Sequence, residues 1–281
     1  MRIPLTYHSP TDLDLALEIA AQPFGKIVAG GTDVYPSAKK GVVPEFFLDL
    51  TRLRGFANIT GQNSTVRIGA ATTWSQIAQA NLPPAFDALK QAAKEVGSVQ
   101  IQNTGTIAGN ICNASPAADG VPPLLALDAK VELASAARGT RVLALSEFLR
   151  GVRQTELADD ELMTAIVIPA LPKHACSAFK KLGSRRYLVI SISMVAATIT
   201  CDNDGRIIDA RVAVGACSPI AQRLPLLERD IIGKMVQDIK LTDEHFTALS
   251  PIDDVRGSGL YRLDVVAEQC VRAIRKAAGH E

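Results

Sequence analysis

The chain of 281 residues is 47% hydrophobic and 21% charged, and 30 Lys+Arg against 29 Asp+Glu leave a formal charge of +1. At roughly 100–200 residues per domain, this length predicts two domains with cores of their own, and the composition excludes disorder as the main state. A charge near zero without Lys/Arg blocks excludes the footprint of a dedicated nucleic-acid or anionic-membrane binder, leaving small molecules and protein partners as the expected ligands. Met1 to Pro10 carries one early Arg and no long apolar run. Neither a secretory signal nor a membrane span is therefore expected, and the expected compartment is the cytoplasm.

In chain order, Leu13, Ala16, Leu17 and Ala20 recur at helical spacing after Ser9-Pro10-Thr11, and Pro23 to Gly25 ends the pattern. A strand at Lys26 to Ala29, a glycine turn at Gly30-Gly31, an apolar run at Phe46 to Leu50 and a strand at Thr65 to Gly69 follow. Helical signals return at Trp74 to Ala80 and Pro84 to Glu95. Gly97 to Asp119 is rich in Asn, Thr, Ser, Gly and Ala with few charges, unlike an ordinary solvated loop. Strand-like runs at Lys130 to Leu133, Arg141 to Leu145 and Leu162 to Ile168 lead to Pro169-Ala170-Leu171-Pro172, the expected domain boundary. Beyond it, runs at Ser177 to Lys181, Ile190 to Cys201 and Ile207 to Val214 precede a helical C-terminus, which predicts an α+β second domain.

Three segments are candidates for chemistry. In Lys26-Ile27-Val28-Ala29-Gly30-Gly31-Thr32-Asp33 an apolar strand enters paired glycines, which lets backbone N–H groups approach a phosphate; a plain tight turn is the alternative. Gly25 and Gly30 have P-loop spacing, but Gly31 stands where that loop needs Lys, and the Gly-x-Gly-x-x-Gly dinucleotide turn is missing. The second segment, Gln102 to Asp119, is dense in small residues and uncharged donors. It suits a pyrophosphate held by amides and hydroxyls, against the alternative of a compact surface loop. The third, Phe179-Lys180-Lys181-Leu182-Gly183-Ser184-Arg185-Arg186-Tyr187, offers a basic cluster and a ring able to stack on a flat ligand, or else forms a solvated turn between strands. Five widely spread cysteines and four histidines show no metal-ligand spacing, so no metal site is expected from this chain alone. Nor is there an activated nucleophile or a His/carboxylate cluster, so no catalytic side chain is assigned.

Taken in this order, the segments resemble the FAD-binding middle subunit of the molybdenum hydroxylases, the family of xanthine dehydrogenases, aldehyde oxidoreductases and aerobic carbon monoxide dehydrogenases. The resemblance covers nearly the whole chain. It rests on Ala29-Gly30-Gly31-Thr32-Asp33, on Gly105-Thr106-Ile107-Ala108-Gly109-Asn110 with Ala114-Ser115-Pro116 and Asp119, and on Ser177-Ala178-Phe179-Lys180. It continues in Gly215-Ala216-Cys217-Ser218-Pro219 and in Asp254-Val255-Arg256-Gly257-Ser258 with Tyr261-Arg262.

The resemblance implies an α+β chain: a two-part FAD-binding domain of the vanillyl-alcohol-oxidase type over residues 1–170, divided near 53/54, then a smaller domain over 171–281 with an antiparallel sheet and helices. It implies noncovalent FAD in this chain, with a molybdenum cofactor on a large partner and two iron–sulfur clusters of the 2Fe–2S type on a small one, as a dimer of heterotrimers. By motif matching, Ile27, Val28, Ala29, Gly30, Gly31, Thr32, Asp33 and Val34 would line the pyrophosphate with Thr106, Ile107, Ala108, Gly109 and Asn110. Ser115 belongs to the same cofactor-binding set, Asp119 would lie near the adenosine ribose, and Lys180, Met163 and Tyr187 near the flavin. Ala108 stands where the family has a first glycine. Leu188-Val189-Ile190 stand where many members carry acidic residues, which argues against NAD as electron acceptor. The cysteine-rich insertion of the hydroxybenzoyl-coenzyme A reductase branch is missing. The implied function is electron transfer; a self-sufficient flavin oxidase and a non-catalytic nucleotide-binding assembly module are the alternatives.

Overall fold

The computed structural model describes residues 6–36, 44–61, 65–185 and 188–280. The first layer is a parallel sheet of β1 (Thr6–His8), β3 (Phe46–Asp49) and β2 (Gly25–Val28), in that order, with β3 central. Between β1 and β2 runs α1 (Leu13–Ala20), whose Ala16, Leu17, Ile19 and Ala20 are buried, as the apolar spacing predicts. Asp12 caps it, its carboxylate accepting from the Asp14 N–H at 3.0 Å.

A five-stranded sheet follows, ordered β4 (Ile59–Thr60), β5 (Val66–Gly69), β10 (Leu162–Ile168), β6 (Lys130–Ser135), β7 (Gly139–Ala144). Its connections carry α2 (Trp74–Gln79), α3 (Asp87–Glu95), α4 (Val99–Thr104), α5 (Ile107–Cys112), α6 (Val121–Ala126), α7 (Leu145–Phe148) and the hairpin of β8 (Leu149–Gly151) and β9 (Gln154–Thr155). The Gly97–Asp119 segment thus holds two short helices where no helical periodicity is visible. Their signals are caps: the Ser98 hydroxyl accepts from the Ile101 N–H, and the Thr106 hydroxyl from the Gly109 N–H. The strand expected over Arg141 to Leu145 ends one residue early, because Leu145 begins α7.

The last layer is an antiparallel sheet of β11 (Cys176–Leu182), β12 (Ser193–Cys201), β13 (Ile207–Gly215) and β14 (Gln222–Arg223), with α8 (Pro225–Ile231) and the long α9 (Gly259–Ala277). Ala178, Val195, Ala197 and Val212 pack with Val266, Cys270, Ala273 and Ile274 of α9 in one apolar cluster. The opposite face does not reach water. Phe179, Met194, Ala196 and Ala213 belong to the core of the first part of the chain. Both faces being buried accounts for the near-continuous apolar run of β12.

Strand β11 is fastened along α3. The Ala88 N–H donates to the Ser177 hydroxyl at 2.8 Å, the Phe179 N–H to Gln91 Oε1 at 2.9 Å, and Lys181 Nζ to the Glu95 carbonyl at 3.1 Å. The alternation of a strand therefore directs Ser177, Phe179 and Lys181 at the first domain, and Ala178 and Lys180 at the other face. The two C-terminal motifs also meet: buried Arg262 donates to the Ala216 carbonyl at 2.6 Å and to Asp254 Oδ1 at 2.5 Å. The Ala216 N–H in turn donates to the Pro116 carbonyl at 3.0 Å.

Candidate functional site

Where the parallel sheet meets α5 and β10 there is a cavity of about 660 Å3, within the roughly 300–1,000 Å3 typical of small-molecule and cofactor clefts. Its wall includes Ile27, Ala29, Gly30, Gly31, Thr32, Asp33 and Val34 from the turn after β2, and Thr106, Ala108, Gly109 and Asn110 from α5. Met163, beside a register shift in the β10–β6 pairing, supplies an apolar side chain. The two glycine-rich segments, more than seventy residues apart in the chain, are thus brought to one place.

The glycines have different reasons. A Cβ on Gly30 would stand 1.9 Å from the Thr104 carbonyl oxygen, so this residue is small because the two turns touch each other. Gly31 has φ +66°, a left-handed conformation, and a Cβ there would meet the ring of Tyr35 at 2.3 Å. The N–H groups of Gly30, Gly31 and Thr32 donate to no group among the described residues. By contrast, the amides that open α5 are already used: Ile107 N–H donates to the Thr72 carbonyl, Ala108 N–H to the Ala70 carbonyl and Gly109 N–H to its own cap. The free donors belong to the first turn.

Not every expected residue reaches the cavity. Val28 and Ile107 are buried in the layers behind it. The Ser115 hydroxyl accepts from the Ala117 N–H within its own loop. Asp119, expected near a ribose, is off the wall and committed elsewhere: Oδ2 accepts from Lys181 Nζ at 2.8 Å and Oδ1 from the Ser191 hydroxyl at 2.6 Å. Burial pushes its carboxyl above the usual range, with Lys181 and Ser191 pulling it back. Lys180 is also off the wall: strand alternation turns it to the face opposite Lys181, and Lys181 itself meets Asp119 away from the cavity. Tyr187 lies outside the described residues.

The structure adds residues that motif reading did not select. Trp74, fully buried, braces the second turn: its backbone N–H donates to the Gly105 carbonyl at 3.2 Å, and a Cβ on Gly120 would strike its ring at 2.4 Å. Glu161 on the wall is paired with Arg141 at 2.7 Å, and that hydrogen bond holds its carboxyl below the usual range. Cys112 lines the cavity, and burial pushes its thiol up to about 12. Arg153, in the β8–β9 turn, completes the rim. Its turn is legible as Gly151-Val152-Arg153-Gln154; its place against the two loops is not.

Residues 3–171 match the model of the FAD binding domain in molybdopterin dehydrogenase, and residues 177–277 that of the CO dehydrogenase flavoprotein C-terminal domain. The chain belongs to the FAD-binding medium subunits of the molybdenum hydroxylases. It is 39% identical over 186 residues to the nicotinate dehydrogenase FAD-subunit of Eubacterium barkeri, an alignment covering 64% of this chain and 62% of that one. It is 32% identical to a putative xanthine dehydrogenase FAD-binding subunit of Escherichia coli, over 97% of this chain and 95% of the other. A chain in the solved carbon monoxide dehydrogenase from Hydrogenophaga pseudoflava superposes with a TM-score of 0.85 at 26% identity, covering 100% of this chain and 99% of that one.

As a medium subunit the chain is a flavoprotein with an FAD-binding domain and a C-terminal domain, and its cavity fits that cofactor. Three consecutive amides with no acceptor among the described residues, and a left-handed glycine among them, are the elements of a backbone anion cradle. Asn110 Oδ1 on the same wall is buried and has no hydrogen-bond partner among the described residues, which leaves an acceptor open there. Among the described residues no helix is long and apolar enough to cross a membrane, and no His/Cys/Asp/Glu group can hold a metal.

Proposed function

We propose that this medium subunit is the outlet of a three-part molybdenum hydroxylase, joined to a large molybdenum-cofactor subunit and a small iron–sulfur subunit in a dimer of heterotrimers. FAD bound here would collect electrons from the iron–sulfur clusters and deliver them to an external acceptor. The chain's own part is placement. The Gly30–Thr32 amides bind phosphate oxygens, Asn110 receives a hydroxyl, Met163 and Leu162 give the flavin an apolar wall, and Trp74 backs the second turn. The observation that carries this reading is the row of free amides in a cofactor-sized cavity. The substrate is chosen on the large subunit, and the nicotinate and xanthine dehydrogenase relatives favour an N-heterocycle. The cytoplasm is the proposed compartment.

Native mass spectrometry of the complex purified through this chain, with the absorption spectrum of the same sample, tests the proposal. Two redox partners and a flavin spectrum that bleaches on adding a purine, nicotinate or quinoline substrate are expected. A colourless chain purifying alone refutes it, and flavin bleached by substrate without partners would establish a self-sufficient oxidase.

A further inference from the structure

The cavity wall carries little charge. Among its described residues the basic side chains are Lys26 and Arg153 and the acidic ones Asp33 and Glu161, the last already paired with Arg141. A diphosphate brings two negative charges, and uncharged amides leave them without a counter-ion.

Arg153 occupies the turn between β8 and β9 with φ +59°, and its N–H donates to the Ala114 carbonyl at 2.9 Å just beyond α5. That bond docks the hairpin tip beside the second glycine-rich segment. The guanidinium reaches across to the first: Nη1 donates to Asp33 Oδ2 at 2.8 Å and also to the Asn113 side-chain oxygen. One side chain therefore spans both turns. Its Nε and Nη2 donate to no group among the described residues, and the side chain is 52% exposed, so these donors face accessible space. A planar guanidinium with two adjacent free N–H groups matches the oxygens of a phosphate.

We propose that Arg153 is the counter-charge of the cofactor's diphosphate, held between the glycine turns by Asp33 and Asn113 with Nε and Nη2 directed to phosphate oxygens. This rests on the FAD reading of the cavity. Asp33 then acts as a positioning residue, since a carboxylate beside a diphosphate repels it unless a cation stands between them.

Calorimetric titration of the full-length apoprotein with FAD, ADP and riboflavin, at low and high salt, tests the assignment. Arg153→Gln is expected to weaken FAD and ADP by roughly 10- to 100-fold, the scale of one charge-assisted hydrogen-bonding group, and to flatten their salt dependence. Riboflavin, which has no phosphate, should change less than about twofold, and Arg153→Lys, which keeps the charge but loses the planar fork, should bind ADP with an affinity between those of wild type and Arg153→Gln. A wild-type chain that binds no flavin overturns the FAD reading and this inference with it. If wild type binds FAD but Arg153→Gln binds it equally well, only the inference falls. It falls equally if riboflavin weakens in proportion, or if Arg153→Lys loses as much as Arg153→Gln; Arg153 then serves only to hold the hairpin.

Discussion

Replacing Lys181 by Met keeps the aliphatic stem and removes the ammonium that faces Asp119. Side-chain exposure is 4% for Lys181 and 10% for Asp119 at a separation of 2.8 Å, so water screens the pair little. Removing one partner of a buried pair costs about 3–5 kcal/mol, because the remaining charge stays desolvated. The carboxyl has an escape, which is to take a proton. For an ordinary aspartic acid near pKa 3.9, that costs at most about 5 kcal/mol at pH 7.5 and about 2 kcal/mol at pH 5.5. The sign follows: burial already raises the folded-state pKa of Asp119, so the folded chain holds this proton more tightly than the unfolded one, and the penalty grows as pH rises. Lys181→Met should therefore lower Tm by about 6–10 °C at pH 7.5 and by less than half of that at pH 5.5. Adding Asp119→Asn should recover most of the loss at the higher pH. Scanning calorimetry of the three variants at both pH values decides it. A shift under 2 °C, or one equal at the two pH values, would refute a buried, unscreened pair.

Gly30→Ala should abolish flavin retention, because the new methyl meets the Thr104 carbonyl and must push the two turns apart; Gly31→Ala should cost about 1–2 kcal/mol for its left-handed backbone and weaken FAD more mildly. Absorption spectra after desalting, with melting curves for both, provide the comparison. FAD should be released intact by acid precipitation, leaving a colourless pellet. Cys112, its thiol pushed up to about 12, should resist iodoacetamide at pH 8 when a free thiol near 8.5 reacts, as peptide mass mapping would register. Asp128→Ala breaks ion pairs to Arg211 at 2.7 Å and Arg223 at 2.6 Å across the domain junction. A loss of about 1–2 kcal/mol, smaller in 1 M salt, is expected in denaturant titration.

The helices and strands visible in the sequence carry a pattern: α1 and α3 a helical repeat that matches the face they bury, β5 a strand alternation, and β10 and β12 near-continuous apolar runs that match burial on both faces. Missed elements lack one. Helix α6 opens Val121-Pro122-Pro123 and buries all six residues, so no amphipathic stripe exists to be seen. Helices α4 and α5 are six residues each and depend on caps and on Trp74 behind them. The two glycine-rich turns are legible because their chemistry is local. The charges around them are not: Asp33 meets Arg153 across 120 residues, and Asp119 meets Lys181 and Ser191 across 62 and 72. Which of Lys180 and Lys181 faces the first domain turns on the phase of a strand, which the α3 contacts reveal.

That phase bears on how the two domains act on the cofactor. Lys181 is the penultimate residue of β11 and Ser191 precedes β12, so the two oxygens of one carboxylate hold the opposite ends of the connection between these strands. The Ile192 N–H to Leu182 carbonyl bond, at 2.7 Å, shuts the same stem, and Arg262 fastens the Ile192 carbonyl from α9. Asp119 itself follows the second glycine-rich segment, whose Pro116 carbonyl is held by Ala216 of the C-terminal domain. The segment that carries the cavity wall and the connection that carries Tyr187 are therefore tied to each other through the C-terminal sheet. A buried charge is an expensive way to tie them if stability alone were the object, since a well-packed apolar pair serves as well. What the ion pair adds is register: Asp119 accepts only groups that arrive with a donor at the right place, which fixes where the β11–β12 connection starts and ends relative to the glycine turns.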